Sequence, residues 1–204
     1  MTFLLAIWLL QANTVALENE YVRVTRDAAP CASSSVQGAP GCGDRVIVAL
    51  GEIDLRFGKS RRKMTRGDIA VFKPGESYEP PTGGAFFEVA IKANHPPVQS
   101  PREIIPPEKN AIRYDGERFF IFEEKLAVGD TRPRHSHSQR VVIQLNRTSL
   151  QQWPEGEPEI VRDIVPDRAA FNPPVIHTVK NVGDASLRGI VIEFKAERQK
   201  PASK

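Results

Sequence analysis

The 204-residue chain holds only two cysteines and four histidines, and it lacks a Gly-x-Ser-x-Gly elbow, a Walker phosphate loop and any Cys-x-x-Cys pair. Those absences exclude the usual serine-hydrolase nucleophile, the phosphate-cradling nucleotidase and the thiolate zinc framework. No apolar run approaches the roughly 18 residues that a membrane-spanning helix needs. No long segment carries a helical period. Charge of either sign is scarce in excess, the net being +3, and the basic residues are scattered. The densest run, Lys59-Ser60-Arg61-Arg62-Lys63, has no interleaved aromatics and is expected at a solvated hairpin tip. A nucleic-acid partner is therefore not expected.

What is present is a chain of short strands. An apolar fraction of 40% and a charged fraction of 26% suit an ordinary core, and 17 prolines with 14 glycines imply many turns. Tyr21–Val24, Ile53–Arg56, Ile69–Phe72, Phe119–Phe122 and Ile190–Ile192 are rich in β-branched and aromatic residues and are bounded by turn formers. The chain also matches itself once. Arg45–Leu50 aligns with Arg140–Leu145, and Phe72–Tyr78 aligns with Phe171–His177, with a longer hairpin in the second copy around Thr148–Val161. Many short strands in two copies predict an all-β protein of two tandem barrels or sandwiches. The expected boundaries are a leader at 1–16, a first repeat at 17–92, a proline-rich linker at 93–111, a second repeat at 112–195 and a polar tail at 196–204.

Phe3–Leu10 is apolar enough for the core of an export signal, with Thr14-Val15-Ala16 as the small-residue cleavage site; the alternative for this stretch is a first strand. Export to an oxidising compartment fits the cysteines. Cys31 and Cys42 bracket a loop of small residues with no core of its own. A bridge across it would remove about 3 kcal/mol of unfolded-chain entropy; the alternative is two unrelated buried thiols. His95 lies in the proline-rich linker and is expected at the surface. Glu123 and Glu124 alternate faces on a strand and do not make a convergent acid pair. Trp153, beside Pro154, is expected to anchor a loop.

The remaining histidines fall in the second repeat. His135 and His137, two apart in Gly129-Asp130-Thr131-Arg132-Pro133-Arg134-His135-Ser136-His137, project to one face of a strand. His177 follows in Pro174-Val175-Ile176-His177-Thr178-Val179-Lys180-Asn181. Gly-x5-His-x-His resembles the first motif of the cupin superfamily, and Pro-x2-His-x3-Asn resembles the second. With the internal repeat, the chain is similar to a bicupin, two tandem jelly-roll β-barrels, over about residues 17–195. The resemblance implies a divalent metal held inside the second barrel by His135, His137 and His177. The family's further glutamate ligand falls at Val141 or Val142 here, so the protein offers three imidazoles and no carboxylate at that spacing. Some cupin oxygenases share such an arrangement. In the first repeat Tyr78 takes the place of His177 and Cys42 that of His137, so that repeat is expected to be structural.

The functional expectation is an exported bicupin binding iron foremost, with zinc, manganese, nickel or copper as alternatives. It would be an oxygenase for a small anionic or chelating substrate; the alternative is a non-catalytic small-ligand-binding or structural bicupin. No residue is assigned a catalytic role, although Arg140 or Lys180 would suit steering an anion. Gln139 is given no role. The expected partner is a small molecule. No membrane contact is expected after removal of the leader, and a homo-oligomer is open.

Overall fold

The structure is a computed structural model that describes residues 14–31, 43–98 and 110–195. Most of the expected leader, Cys42 with most of its loop, linker residues 99–109 and the tail from 196 lie outside these residues. No helix among the described residues is long and apolar enough to cross a membrane.

The first unit comprises β1 (Thr14–Glu18), β2 (Val22–Arg26), β3 (Arg45–Ala49), β4 (Ile53–Phe57), β5 (Ser60–Met64), β6 (Ile69–Phe72), β7 (Glu79–Gly83) and β8 (Phe86–Ile91). The second comprises β9 (Asn110–Asp115), β10 (Phe119–Leu126), β11 (Thr131–His137), β12 (Arg140–Gln144), β13 (Thr148–Pro154), β14 (Ile160–Ile164), β15 (Ala169–Asn172), β16 (Val175–Asn181) and β17 (Leu187–Phe194). Each unit pairs a five-stranded sheet with a smaller one. The orders are β1-β2-β8-β3-β6 with β5-β4-β7, and β15-β12-β17-β10-β9 with β11-β16-β13-β14. The fold is all-β, as the strand pattern predicts. Thr14, Val15 and Ala16, which the sequence suggested as the end of a leader, belong to β1, where Thr14 faces Arg26 and Val15 faces Thr25.

The repeat is real in register. β3 lies between β8 and β6, and β12 lies between β17 and β15. The alignment of Phe72 with Phe171 needs a one-residue correction, because Val46 pairs with Val71 whereas Val141 pairs with Phe171. A slip of one residue reverses the face of a strand. Accordingly Phe72 sits inside the first barrel, while Phe171 packs on the core between the barrels. The second copy does carry the longer hairpin: β13 runs seven residues, against five for β4.

The two larger sheets pack face to face. Val22, Val24, Val46, Val48, Phe87 and Val89 of one meet Phe119, Ile121, Val141, Ile143, Ile190 and Ile192 of the other in the largest core. Strands with both faces covered lose the apolar-polar alternation, which is why β3 and β8 are buried at every residue. At the rim, Arg66 donates to the Leu50 and Leu145 carbonyls and pairs with Asp167 at 2.5 Å, tying one unit to the other.

The alternate residues point into the barrels. The first interior is filled by Ile47, Leu55, Met64, Phe72, Tyr78 and Phe86. The second holds two smaller clusters, Phe120–Phe122–Val142–Val191 and Leu126–Leu150–Val179–Leu187, beside a cavity of about 380 Å³.

Candidate metal centre

A bulge builds the site. β11 pairs antiparallel with β16, Arg132 opposite Val179 and His135 opposite His177, so three steps on β11 span two on β16. The extra residue falls at Pro133-Arg134, where proline supplies no ladder donor and is tolerated. It turns the strand so that Arg132 and the pair His135 and His137 all become buried despite their opposite parity. Asn181, the asparagine of the second motif, is fully buried. Its side chain accepts from Thr148 and donates to the carbonyls of Leu126 and Ala185, which pins the end of β16.

His135, His137 and His177 converge. One ring nitrogen from each lies within 4.8 Å of the others, and the ring centroids are 4.9, 4.6 and 5.6 Å apart. A shared ion about 2.1 Å from each nitrogen needs these atoms within roughly 4.2 Å, a closure of about half an ångström.

The hydrogen bonds define the tautomers. A carbonyl oxygen only accepts, so Nδ1–H of His135 donates to Pro133 at 2.7 Å. Nδ1–H of His137 donates to the Glu193 carboxylate at 2.8 Å. Each leaves Nε2 as a lone pair aimed inward, and Nε2 of His135 is buried with no partner. Both nitrogens of His177 are likewise buried and unpartnered. Burial, reinforced by neighbouring charge, holds all three rings neutral: His135 is lowered, His137 is well below its ordinary 6.5, and His177 is pushed down to about 2. Buried polar atoms without partners are costly. Three neutral imidazoles with inward lone pairs are the donor set of a divalent ion, so the residues fit one.

Around them lies a shell that sequence spacing alone did not disclose. Glu193, from β17, accepts from His137 and from the backbone and hydroxyl of Ser138. No carboxylate stands at the expected ligand spacing, but Glu193 stands one hydrogen bond behind His137. Its pairing with Arg140 across β12 and β17 is the only signal that could have found it, and reading that needs the topology. Arg132, 1% exposed, pairs with Glu124 and donates to Asn110. Burial pushes the Glu124 carboxyl up, but the Arg132 and Arg140 guanidiniums outweigh it and hold the group low. Val142 faces the cavity where the fourth ligand was sought, and Val141 faces the inter-barrel core.

The other sequence candidates separate cleanly. Arg140 lines the cavity, whereas Lys180 lies on β16 between the buried Val179 and Asn181 and is not part of the lining. Gln139 donates away to Pro97. His95 is not one of the convergent histidines, and it is half-buried where the surface was expected, its ring edge-on to Phe194 at 5.7 Å. Trp153 donates to Glu159 across its hairpin at 2.7 Å. Glu123 and Glu124 do diverge, Glu123 pairing with Arg188 and Glu124 with Arg132. In the first barrel Tyr78 donates to the buried Glu88, which also accepts from the Cys31 backbone at 3.2 Å.

No protein-family model and no curated protein matches the chain. Solved structures do. A Pseudomonas aeruginosa protein provisionally described as glyoxylate-induced matches with a TM-score of 0.62 at 12% identity, covering 91% of this chain and 79% of that one. A cupin 2 conserved barrel domain protein from Leptotrichia buccalis gives 0.52 at 10%, covering 90% and 88%. AerE from Microcystis aeruginosa gives 0.50 at 16%, covering 90% and 97%. At these identities the likeness is one of fold.

Proposed function

We propose that this chain of cupin fold holds a divalent metal ion on His135, His137 and His177 and acts as an oxygenase on a small anionic or chelating substrate. The observation that carries the reading is the convergence of three neutral imidazoles, with Nε2 of His135 and both ring nitrogens of His177 buried and without a partner. A divalent ion there would supply Lewis acidity and, as iron, the means to activate dioxygen. The chain's own residues do the rest. Glu193 and the Pro133 carbonyl fix the tautomers of His137 and His135. Burial keeps the rings unprotonated, and Phe120, Phe122, Val142 and Val191 exclude water from one wall of the cavity. Three protein ligands leave coordination positions open for a substrate.

A second reading, a non-catalytic binder of small ligands, is favoured by Val142, which puts a methyl-bearing wall where a carboxylate ligand was sought. Export belongs to the same proposal, supported by the apolar run Phe3–Leu10 and by the spacing of Cys31 and Cys42.

The test is dioxygen uptake by iron-loaded protein against a panel of small carboxylates and thiols. Substrate-dependent uptake that disappears in His177→Ala supports the oxygenase. Stoichiometric iron with no uptake across the panel rejects it in favour of the binder.

A further inference from the structure

The internal repeat provides a comparison within one chain. Arg45 opens β3 and Arg140 opens β12, each next to the strand pairing that defines its barrel. In the first barrel both terminal nitrogens of Arg45 are occupied, Nη1 donating to Gly43 at 2.9 Å and Nη2 to the Glu76 carbonyl, and only its Nε is without a partner. In the second barrel Nη1 of Arg140 alone does both jobs, donating to Ser138 at 3.2 Å and to Pro173 at 2.9 Å. Nη2 and Nε of Arg140 have no hydrogen-bond partner among the described residues. The side chain is 8% exposed and lines the cavity that also contains His137 and His177.

The two unengaged donors open on the cavity, and a buried guanidinium charge is costly unless something compensates it. The acids whose fields reach Arg140 are Glu193 and Glu124, and both are otherwise engaged. Both oxygens of Glu193 accept from His137 and Ser138, and Glu124 is paired with Arg132. The buried Arg132 and Arg140 are balanced by the buried Glu193 and the half-buried Glu124, so a divalent ion on neutral histidines leaves the cavity with two uncompensated positive charges. Arg140, Val142 and Gln144 form one row along β12, all facing in, and the buried Oε1 of Gln144 also lacks a partner.

We infer that Arg140 is the anion-binding residue of this cavity and that the ligand presents a carboxylate to its unoccupied Nη2 and Nε. A guanidinium edge matches the two oxygens of a planar carboxylate, and such charge-assisted pairs are the strong ones. The inference rests on the metal reading above and names the substrate class for that site. A ligand that reaches both the open metal positions and Arg140 is a carboxylic acid with a second donor adjacent to its carboxyl group.

The test uses zinc-loaded full-length protein, in which no redox chemistry intervenes, titrated calorimetrically with oxalate and, separately, with imidazole as a neutral metal ligand. In Arg140→Gln the zinc stoichiometry is expected to hold and zinc affinity not to fall, because a cation beside the ion has been removed. Oxalate should bind about 10- to 100-fold more weakly, and imidazole should be unchanged. Arg140→Lys, which keeps the charge but not the fork, should fall between and serves if the glutamine variant does not fold. Oxalate affinity within twofold of wild type in these variants, or equal losses for oxalate and imidazole, overturns the assignment. If wild type takes up no zinc, the metal reading fails. Oxalate is then titrated into the metal-free protein, where Arg140-dependent binding upholds the anion site alone and its absence removes both.

Discussion

At the scale of single residues, the second barrel works through partners placed behind the ligands. Glu193 holds His137 in the tautomer that presents Nε2. Replacing it with Gln keeps the shape and discards the charge, and zinc affinity measured by chelator competition should fall about 10- to 100-fold. The first barrel has spent its equivalent interior on packing. Tyr78 stacks on Phe72 at 4.2 Å and donates to Glu88, whose carboxyl is raised above its ordinary 4.5, chiefly by burial. A carboxyl raised in the folded state keeps its proton where the unfolded chain has released it. Its contribution to stability is therefore present at low pH and lost as the pH rises from about 4.5 through the raised value. Glu88→Gln removes that titration, so the stability of wild type relative to the variant, from urea midpoints, should decline across this window. A difference that is flat with pH would contradict the assignment.

At the scale of elements, the decisive feature is the bulge in β11. The spacing His-x-His was enough to put two rings on one face, and the second motif was enough to supply the third. The bulge was not legible, because nothing in Pro133-Arg134 distinguishes a bulge from a regular strand until β16 is known to be the partner. Arg132, read as part of a motif, thus became a buried neighbour of Glu124. The same limit misplaced Phe72 against Phe171, since β6 and β15 are four-residue edge strands, only partly buried, whose parity is fixed by their pairing with β3 and β12 and not by an alternation of their own. Arg134 is exposed and pairs with Glu155 at 2.9 Å. Deleting it removes the extra residue and leaves Arg132 and His135 two positions apart, so both keep the inward face in a regular register, with His135 still opposite His177. Zinc binding should be retained, and the far-ultraviolet circular dichroism should keep its β character. Loss of metal in that variant would show that the bulge itself, and not the parity it restores, aims the histidines.

At the scale of the molecule, the repeat and the strand pattern made the two-unit, all-β architecture legible, because turn formers and β-branched runs report local structure. Which faces meet was not legible, being a property of the pairing. The two large sheets share one core, so the units should not melt independently. Ile192→Ala, which opens a hole in that core, is expected to cost about 2–5 kcal/mol and to shift a single calorimetric transition; two resolved transitions would contradict a shared core. The division of labour is likewise a property of the whole: one barrel is filled by Phe72, Tyr78 and Met64, and the other keeps a cavity lined by His137 and His177, on which His135 converges. Elemental analysis of the purified protein after zinc loading and desalting tests that division most directly. One zinc per chain, abolished separately by His135→Ala, His137→Ala and His177→Ala, is the predicted result. A metal content near zero, or one that the three substitutions leave untouched, would contradict it.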